Sequence, residues 1–324
     1  RHDIAALSHP GDNEIERMGT VDRQLGEHFA AAVLQLLAKA AVQPEEIIAI
    51  GSHGQTIRHR PPSGGAPAGR AFTLQIGDPN TIAELTGITT VADFRRRDIA
   101  AGGEGAPLAP AFHRAMLGGD RGDQAILNIG GIANITLLLA EKTGGFDTGP
   151  GNTLLDHWIS RERGLAFDDN GAWAAGGQVC EDLLEQLLKH PFLDQPTPKS
   201  TGKEAFNLAW LDEQLQDFPT IEPQNVQTTL AEFTAASIAA AVPANISAIY
   251  VCGGGAFNAD LIDRLARRLD GVAVDTTASL GCDPAWVEAA AFAWLAWQTV
   301  SGKNGNLPGV TGAEGERILG GIYA

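Results

Sequence analysis

Apolar residues recur at helical spacing from Glu14 to Ala41, with Val21, Leu25, Phe29, Val33, Leu36 and Leu37 on one stripe of a long amphipathic helix. The next apolar run, Ile47 to Ile50, predicts a brief buried strand that ends in Gly51-Ser52-His53-Gly54-Gln55-Thr56. Pro61 to Gly69 reads as a loop, and alternation over Phe72 to Ile76 as a strand. Asp78-Pro79 then starts a helix, with Asp as cap and Pro in the first turn, and Gly87 stops it. Ile88 to Phe94 is a further strand, Arg95 to Gly105 a loop and Pro107 to Leu117 a helix. Two strands flank Gly130-Gly131, at 125–131 and 134–139. Helices are predicted near 151–162, 178–189, 203–216 and 224–241. Ile246 to Cys252 is a strand, Gly253-Gly254-Gly255 a turn, and Asn258 to Leu269 a helix. Val272 to Val274 is a short strand, and Pro284 to Val300 a helix apolar on nearly every side.

Strands mixed with long helices make the chain α/β. At 324 residues it is long enough for two domains. The polar, glycine-bearing stretch Gly118 to Asp123 is the best boundary. The expected division is therefore 1–122 and 123–303, with the tail 304–324 returning to the first domain.

Composition narrows the function. Hydrophobic residues are 44% and charged residues 19%, which excludes a mainly disordered chain. No uninterrupted apolar run is long enough to span a bilayer. Acids outnumber bases 39 to 23, which argues against nucleic acid or an anionic membrane as partner. Cys180, Cys252 and Cys282 form no metal-binding spacing, and three thiols cannot all pair with one another, so a reducing, cytoplasmic compartment is expected. The 39 glycines cluster just after apolar runs, where backbone must approach a ligand or another strand.

Several of these clusters can carry chemistry. Gly253-Gly254-Gly255 and Asn258 stand between a strand and a helix start, where free amides suit a phosphate or nucleotide; a tight packing turn is the alternative. Gly130, Gly131 and Asn134 lie on a turn that can face a phosphate chain or simply close a hairpin. Asp147, followed by small turn-forming residues, is either a general base in a cleft or a helix-capping Asx turn. The run Arg95-Arg96-Arg97 offers guanidinium groups to an anion, with a surface ladder to Asp93 and Asp98 as the bland reading. His53 sits among polar side chains that suit a sugar. Glu288 is the only acid of the final long helix, and its apolar flank predicts partial burial. Lys199 to Glu204 reads as a helix cap, through Ser200 or Thr201.

Taken in order, GSHGQTIRH, FTLQIGDP, VADFRRRDIAAGGEGAPLAPAFH, LNIGGIANIT, FDTGPGN, DNGAWAAGG, PKSTGKEAFN, VCGGGAFN and GNLPGVTGA resemble the anhydro-N-acetylmuramic acid kinase family, within the actin/Hsp70/hexokinase-like phosphotransferases. The strings run from about residue 45 to the end of the chain and are specific as a set. The family's opening strand and phosphate loop, of the type SGTSxDG, have no counterpart here, so the resemblance implies about forty further residues ahead of Arg1.

The resemblance implies two ribonuclease-H-like domains with ATP in the cleft between them. Gly130, Gly131 and Asn134 would belong to a phosphate loop, and Gly253, Gly254, Gly255 and Asn258 to the adenosine side. It implies that ATP, with Mg²⁺, phosphorylates O6 of 1,6-anhydro-N-acetylmuramic acid as water opens the C1–O6 bridge, a step of cell-wall recycling. Asp147 would activate that water. Arg97 would hold the lactyl carboxylate, with Glu288 and His53 hydrogen-bonding the sugar. A cytoplasmic homodimer is implied as well. Two other readings fit the residues. One is a kinase or phosphatase of the superfamily acting on another small metabolite, which leaves an Asp beside a proton-free acetal unexplained. The other is a catalytically silent binding protein, since the first phosphate loop is absent.

Overall fold

The computed structural model describes residues 2–64, 69–119, 122–197, 199–202 and 204–324. Its strands are β1 (Ile50–Gly51), β2 (Gln55–Arg60), β3 (Phe72–Ile76), β4 (Thr90–Ala92), β5 (Gln124–Ile129), β6 (Ile132–Leu138), β7 (Thr143–Pro150), β8 (Ala248–Cys252), β9 (Ala273–Thr276) and β10 (Gly321–Tyr323). Helices lie between them, so the chain is α/β. No helix among the described residues is long and apolar enough to cross a membrane.

The chain divides into two compact units, Arg1–Ala115 with Glu288–Ala324, and Met116–Val287. The second break falls at 287/288 rather than at the expected 303/304. The reason lies in what the helix Val287–Val300 packs against: Leu295 and Ala296 share a core with Val91, Phe94, Leu108 and Leu319. A helix apolar on most sides must be covered, and the first unit covers it. Asp120 and Arg121 of the expected linker, like 65–68 of the expected loop, lie outside the described residues.

In the first unit β4 is the middle strand, parallel to β1 and antiparallel to β10. β2 and β3 form a separate antiparallel hairpin. The helix Glu14–Ala40 buries Val21 and Leu37 of the expected stripe, together with Gly26 and Ala30, while Leu36 is exposed because its side of the helix turns away from the core. The helix Pro79–Thr86 starts at Asp78, whose carboxylate accepts from the backbone N–H groups of Asn80 and Thr81, and ends at Gly87. Two expectations give way here. Ile48 is exposed, so the strand predicted from Ile47 shrinks to Ile50–Gly51. The expected loop Arg95 to Gly105 contains a helix, Arg96–Ala100.

The second unit holds a five-stranded sheet in the order β7-β6-β5-β8-β9. The first three strands form an antiparallel meander, and β8 and β9 run parallel to β5. This is the ribonuclease-H-like order. Leu127, Ile129, Ile135, Ile249 and Val251 pack on one face against Ala235, Ile238, Leu261 and Leu265 of the helices Pro223–Ala240 and Ala259–Arg268. Each such fully buried aliphatic side chain contributes roughly 1.5–3 kcal/mol. Opposite faces of the strands alternate, so Asn128 and Asn134 are left on the other side of the sheet.

Candidate active site

Two glycine turns meet at one end of the second unit's sheet. The carbonyls of Gly130 and Gly131 accept from the first donors of the helix Thr153–Arg163: Asn152 N–H to Gly130 at 2.8 Å, Gly151 N–H to Gly131 at 2.9 Å and Thr153 N–H to Gly131 at 3.1 Å. Asn152 Nδ2 adds a bond to Ile129 O at 3.2 Å. The hairpin turn thereby occupies donors that a helix start otherwise leaves free. A Cβ on Gly151 would stand 2.3 Å from the Gly130 carbonyl oxygen, so this approach needs glycine. Gly253 has φ 79°, and a Cβ there would lie 2.4 Å from Asn128 Oδ1. Beyond Gly254 and Gly255, Asn258 caps the helix Ala259–Arg268 by accepting from Leu261 N–H at 3.0 Å.

Beside these turns is a cavity of about 460 Å³, within the range of small-ligand pockets. Asn152, Asp169, Asn170, Gly254, Phe257 and Phe167 belong to its lining, which includes no lysine or arginine. Phe167 and Phe257 are 59% and 56% exposed and present bare ring surface. Carboxylates, amides and aromatic rings without a cation suit the base and ribose of a nucleotide rather than its phosphates. Asp168 is consumed structurally: it accepts from Trp173 N–H and Ala174 N–H at 2.9 Å and from Gln227 Nε2 at 3.3 Å. A larger cavity, about 620 Å³ in the first unit, has none of His53, Arg97 or Glu288 in its lining.

Asp147 lies in β7, not in a capping turn. Asn128 opposes Asn134, and Asn134 opposes Asp147, so the three form a polar row across β5, β6 and β7. Between Ala133 and Asn134 the register slips by one residue of β7, a bulge at Thr148 that re-aims the strand beside Asp147. The segment Lys199 to Thr201 runs along this edge strand: Asp147 N–H donates to Lys199 O at 2.9 Å, and Thr201 N–H donates to the Asp147 carboxylate at 2.9 Å. Ser200 Oγ donates to the same carboxylate at 2.9 Å. Burial pushes the Asp147 carboxyl above the ordinary range, and the bonds from Thr201 and Ser200 oppose that rise. Ser200 and Thr201 are therefore not helix caps. The following helix is Leu208–Leu215, capped by Asn207 through Trp210 N–H at 3.0 Å; Lys203 lies outside the described residues.

The first unit gathers His53, Arg95 and Glu288. His53 Nδ1 bonds Gly54 O at 2.8 Å, and Arg95 Nε donates to His53 Nε2 at 2.9 Å. Arg95 Nη1 donates to Gly105 O at 2.9 Å. Burial, the Arg95 charge beside it and the opposing bond to Gly54 leave the His53 pKa at about 4, so the ring is neutral, with its proton on Nδ1. Both ring nitrogens are thus engaged within the chain. Burial lowers the Arg95 pKa, and the Glu288 carboxylate opposes this. Glu288 itself is exposed, against the partial burial its apolar flank predicts, because the first turn of its helix turns that position to solvent. Arg97 is exposed and makes no ion pair among the described residues, while Arg96 pairs with Asp93 at 2.8 Å. Asp98, expected on a surface ladder, is 0% exposed and serves as a structural acceptor.

The sequence pattern did not single out Asn128 or assign Ser200 to Asp147, and it named Arg95 only as one of the three arginines of its run. Asn128 had a signal, since it precedes the turn in the same alternating pattern that makes Asn134 a candidate.

The sequence model of the family described as anhydro-N-acetylmuramic acid kinase matches residues 1–324. The chain is 53% identical to a protein of that name from Shewanella loihica, over 99% of this chain and 86% of the relative. It is likewise 53% identical to the protein of that name from Shewanella oneidensis, over 99% and 87%. The solved ROK hexokinase of Thermus thermophilus aligns at TM-score 0.32 and 19% identity, over 84% of this chain and 86% of that one, too remote to carry a conclusion.

Proposed function

The chain belongs to the anhydro-N-acetylmuramic acid kinase family, and from that premise we propose how its residues divide the work of an ATP-dependent kinase acting on anhydro-N-acetylmuramic acid. In the 1,6-anhydro sugar, O6 is an acetal oxygen with no proton for a base to remove. It becomes a nucleophile only as C1–O6 breaks, so water must attack C1. Asp147 takes one proton from that water, as the base carboxylate does in an inverting glycosidase. The new C1–O bond forms as C1–O6 breaks, O6 takes the γ-phosphoryl group, and ADP leaves. The products are N-acetylmuramic acid 6-phosphate, ADP and a proton that Asp147 later returns to solvent.

The observation that carries this reading is the half-buried carboxylate of Asp147, shifted upward by burial and held opposite Asn134 in the sheet that carries the glycine turns. Gly130, Gly131 and Asn134 face the phosphates, and Gly253, Gly254, Gly255 and Asn258 the adenosine. Exposed Arg97 takes the lactyl carboxylate in bidentate fashion, and Glu288 accepts from sugar hydroxyls. His53 contributes through the Arg95 that it holds. No group of three His, Cys, Asp or Glu gathers among the described residues. Mg²⁺ would keep several waters and bind mainly through the substrate phosphates, where it would offset charge. A cytoplasmic homodimer completes the reading, and sedimentation would test the dimer.

The deciding experiment is turnover in H₂¹⁸O, quenched early and read by mass spectrometry. One ¹⁸O should enter the sugar at C1 for each ADP formed, with none in the phosphoryl group. Label in free phosphate, with unphosphorylated sugar, would mean ATP hydrolysis instead.

A further inference from the structure

We propose that Ser200 is a positioning residue that decides which oxygen of Asp147 receives the proton of the attacking water, an inference that rests on Asp147 being the base. Both donors to this carboxylate end on one atom: Ser200 Oγ–H and Thr201 N–H each donate to Oδ2, at 2.9 Å. No hydrogen bond among the described residues reaches Oδ1. A carboxylate left alone can exchange its two oxygens by turning about Cβ–Cγ, a soft torsion. Two donors on one oxygen remove that symmetry. Oδ2, accepting both, is the poorer proton acceptor, and Oδ1 keeps its lone pairs for water.

The strap carrying Ser200 is itself fixed. Its Lys199 carbonyl accepts from Asp147 N–H at 2.9 Å. The Lys199 ammonium donates to the carbonyls of Phe192 at 3.1 Å and Leu193 at 2.6 Å, and stands 4.7 Å from the centre of the Phe192 ring. The hydroxyl is therefore presented from a segment anchored on both sides. Ser200 is exposed, so removing its oxygen opens no buried cavity, and a substitution reports on the hydrogen bond rather than on packing. Among the described residues, the charged groups of the adjoining segments are Lys199, Asp194, whose charge acts on Lys199, and Glu204. Burial and the two donors, not these charges, set the ionisation of Asp147.

The test is the pH dependence of Ser200→Ala and Ser200→Thr beside Asp147→Asn. Ser200→Ala should lower kcat about tenfold, the effect of losing one donor to a charged acceptor. Both KM values should stay within about twofold, since neither substrate is bound by this hydroxyl. Losing a donor to the ionised form favours the protonated form, so the acidic limb should move to higher pH. Ser200→Thr should restore both readouts. Wild-type kcat and acidic limb in Ser200→Ala, with Asp147→Asn inactive, would overturn the positioning role. A fall in kcat with an unmoved limb and no rescue by threonine would make the residue merely structural and overturn it as well. An active Asp147→Asn would remove the base assignment, and this inference with it.

Discussion

Asp147 is asked to do one thing that its amide counterpart cannot. Asp147→Asn keeps the size of the side chain and can still accept from Ser200 and Thr201, but it cannot take a proton from water. Turnover should fall about 10²–10⁴-fold with sugar binding retained, as for removal of a general base. Steady-state kinetics with calorimetric binding of the sugar would check this, and more than about a tenth of wild-type kcat would make Asp147 structural. Arg95 and Arg97 separate in the same way. They lie two apart at the start of a helix and so face different sides. Arg95 is spent on His53 and the Gly105 carbonyl, whereas Arg97 is open. Arg97→Ala should raise KM for the sugar about tenfold to 150-fold, the worth of a charge-assisted bond, and leave KM for ATP nearly unchanged. Equal rises for both substrates would count against its role.

The helix Pro79–Thr86 was legible because Asp78, Pro79 and Gly87 act locally, each on backbone within a few residues. β7 was not. Its sequence, TGGFDTGP, has three glycines and a proline, and it becomes a strand only because β6 offers it a ladder from Leu138 to Ile132. Asp147 could therefore be picked out as chemistry while its setting in an edge strand, with Ser200 laid against it, stayed hidden. That contact joins residues 53 positions apart, which no local pattern encodes. The glycine turns were visible as motifs, and their geometry now distinguishes them. At Gly253 a side chain meets a left-handed backbone and Asn128 Oδ1 at 2.4 Å; at Gly254 it meets only Asn152 Nδ2 at 3.5 Å. Gly253→Ala should cost about 1–3 kcal/mol of stability through backbone strain and raise KM for ATP. Gly254→Ala should leave the melting temperature unchanged. Thermal melts of the two variants side by side would decide it, and equal stability would remove the special role of Gly253.

With 39 acids against 23 bases, the net charge of the chain opposes the approach of anionic substrates, so an exposed cation such as Arg97 acts against the general field. The same economy of charge appears inside the first unit, which the chain leaves at Ala115 and re-enters at Glu288. A unit built from two separated stretches needs contacts that hold the returning one. Asp98 supplies them: Oδ1 accepts from Asn306 Nδ2 and Thr311 Oγ1 at 2.8 Å, and Oδ2 from Gly105 N–H at 2.8 Å. These partners are buried, and three donors use both oxygens. In Asp98→Asn one of those oxygens becomes an NH₂ group that faces a donor, whichever way the amide turns. The expected cost is about 1.5–3 kcal/mol for the charged acceptor lost. The change should be local to the returning stretch. Hydrogen exchange followed by peptide mass spectrometry should show faster deuterium uptake in 305–319, with 124–138 in the second unit as protected as before. If 305–319 keeps its protection in Asp98→Asn, the apolar packing of Leu295 and Leu319 on Val91 and Phe94 holds the chain end by itself, and Asp98 is not the group that fastens it.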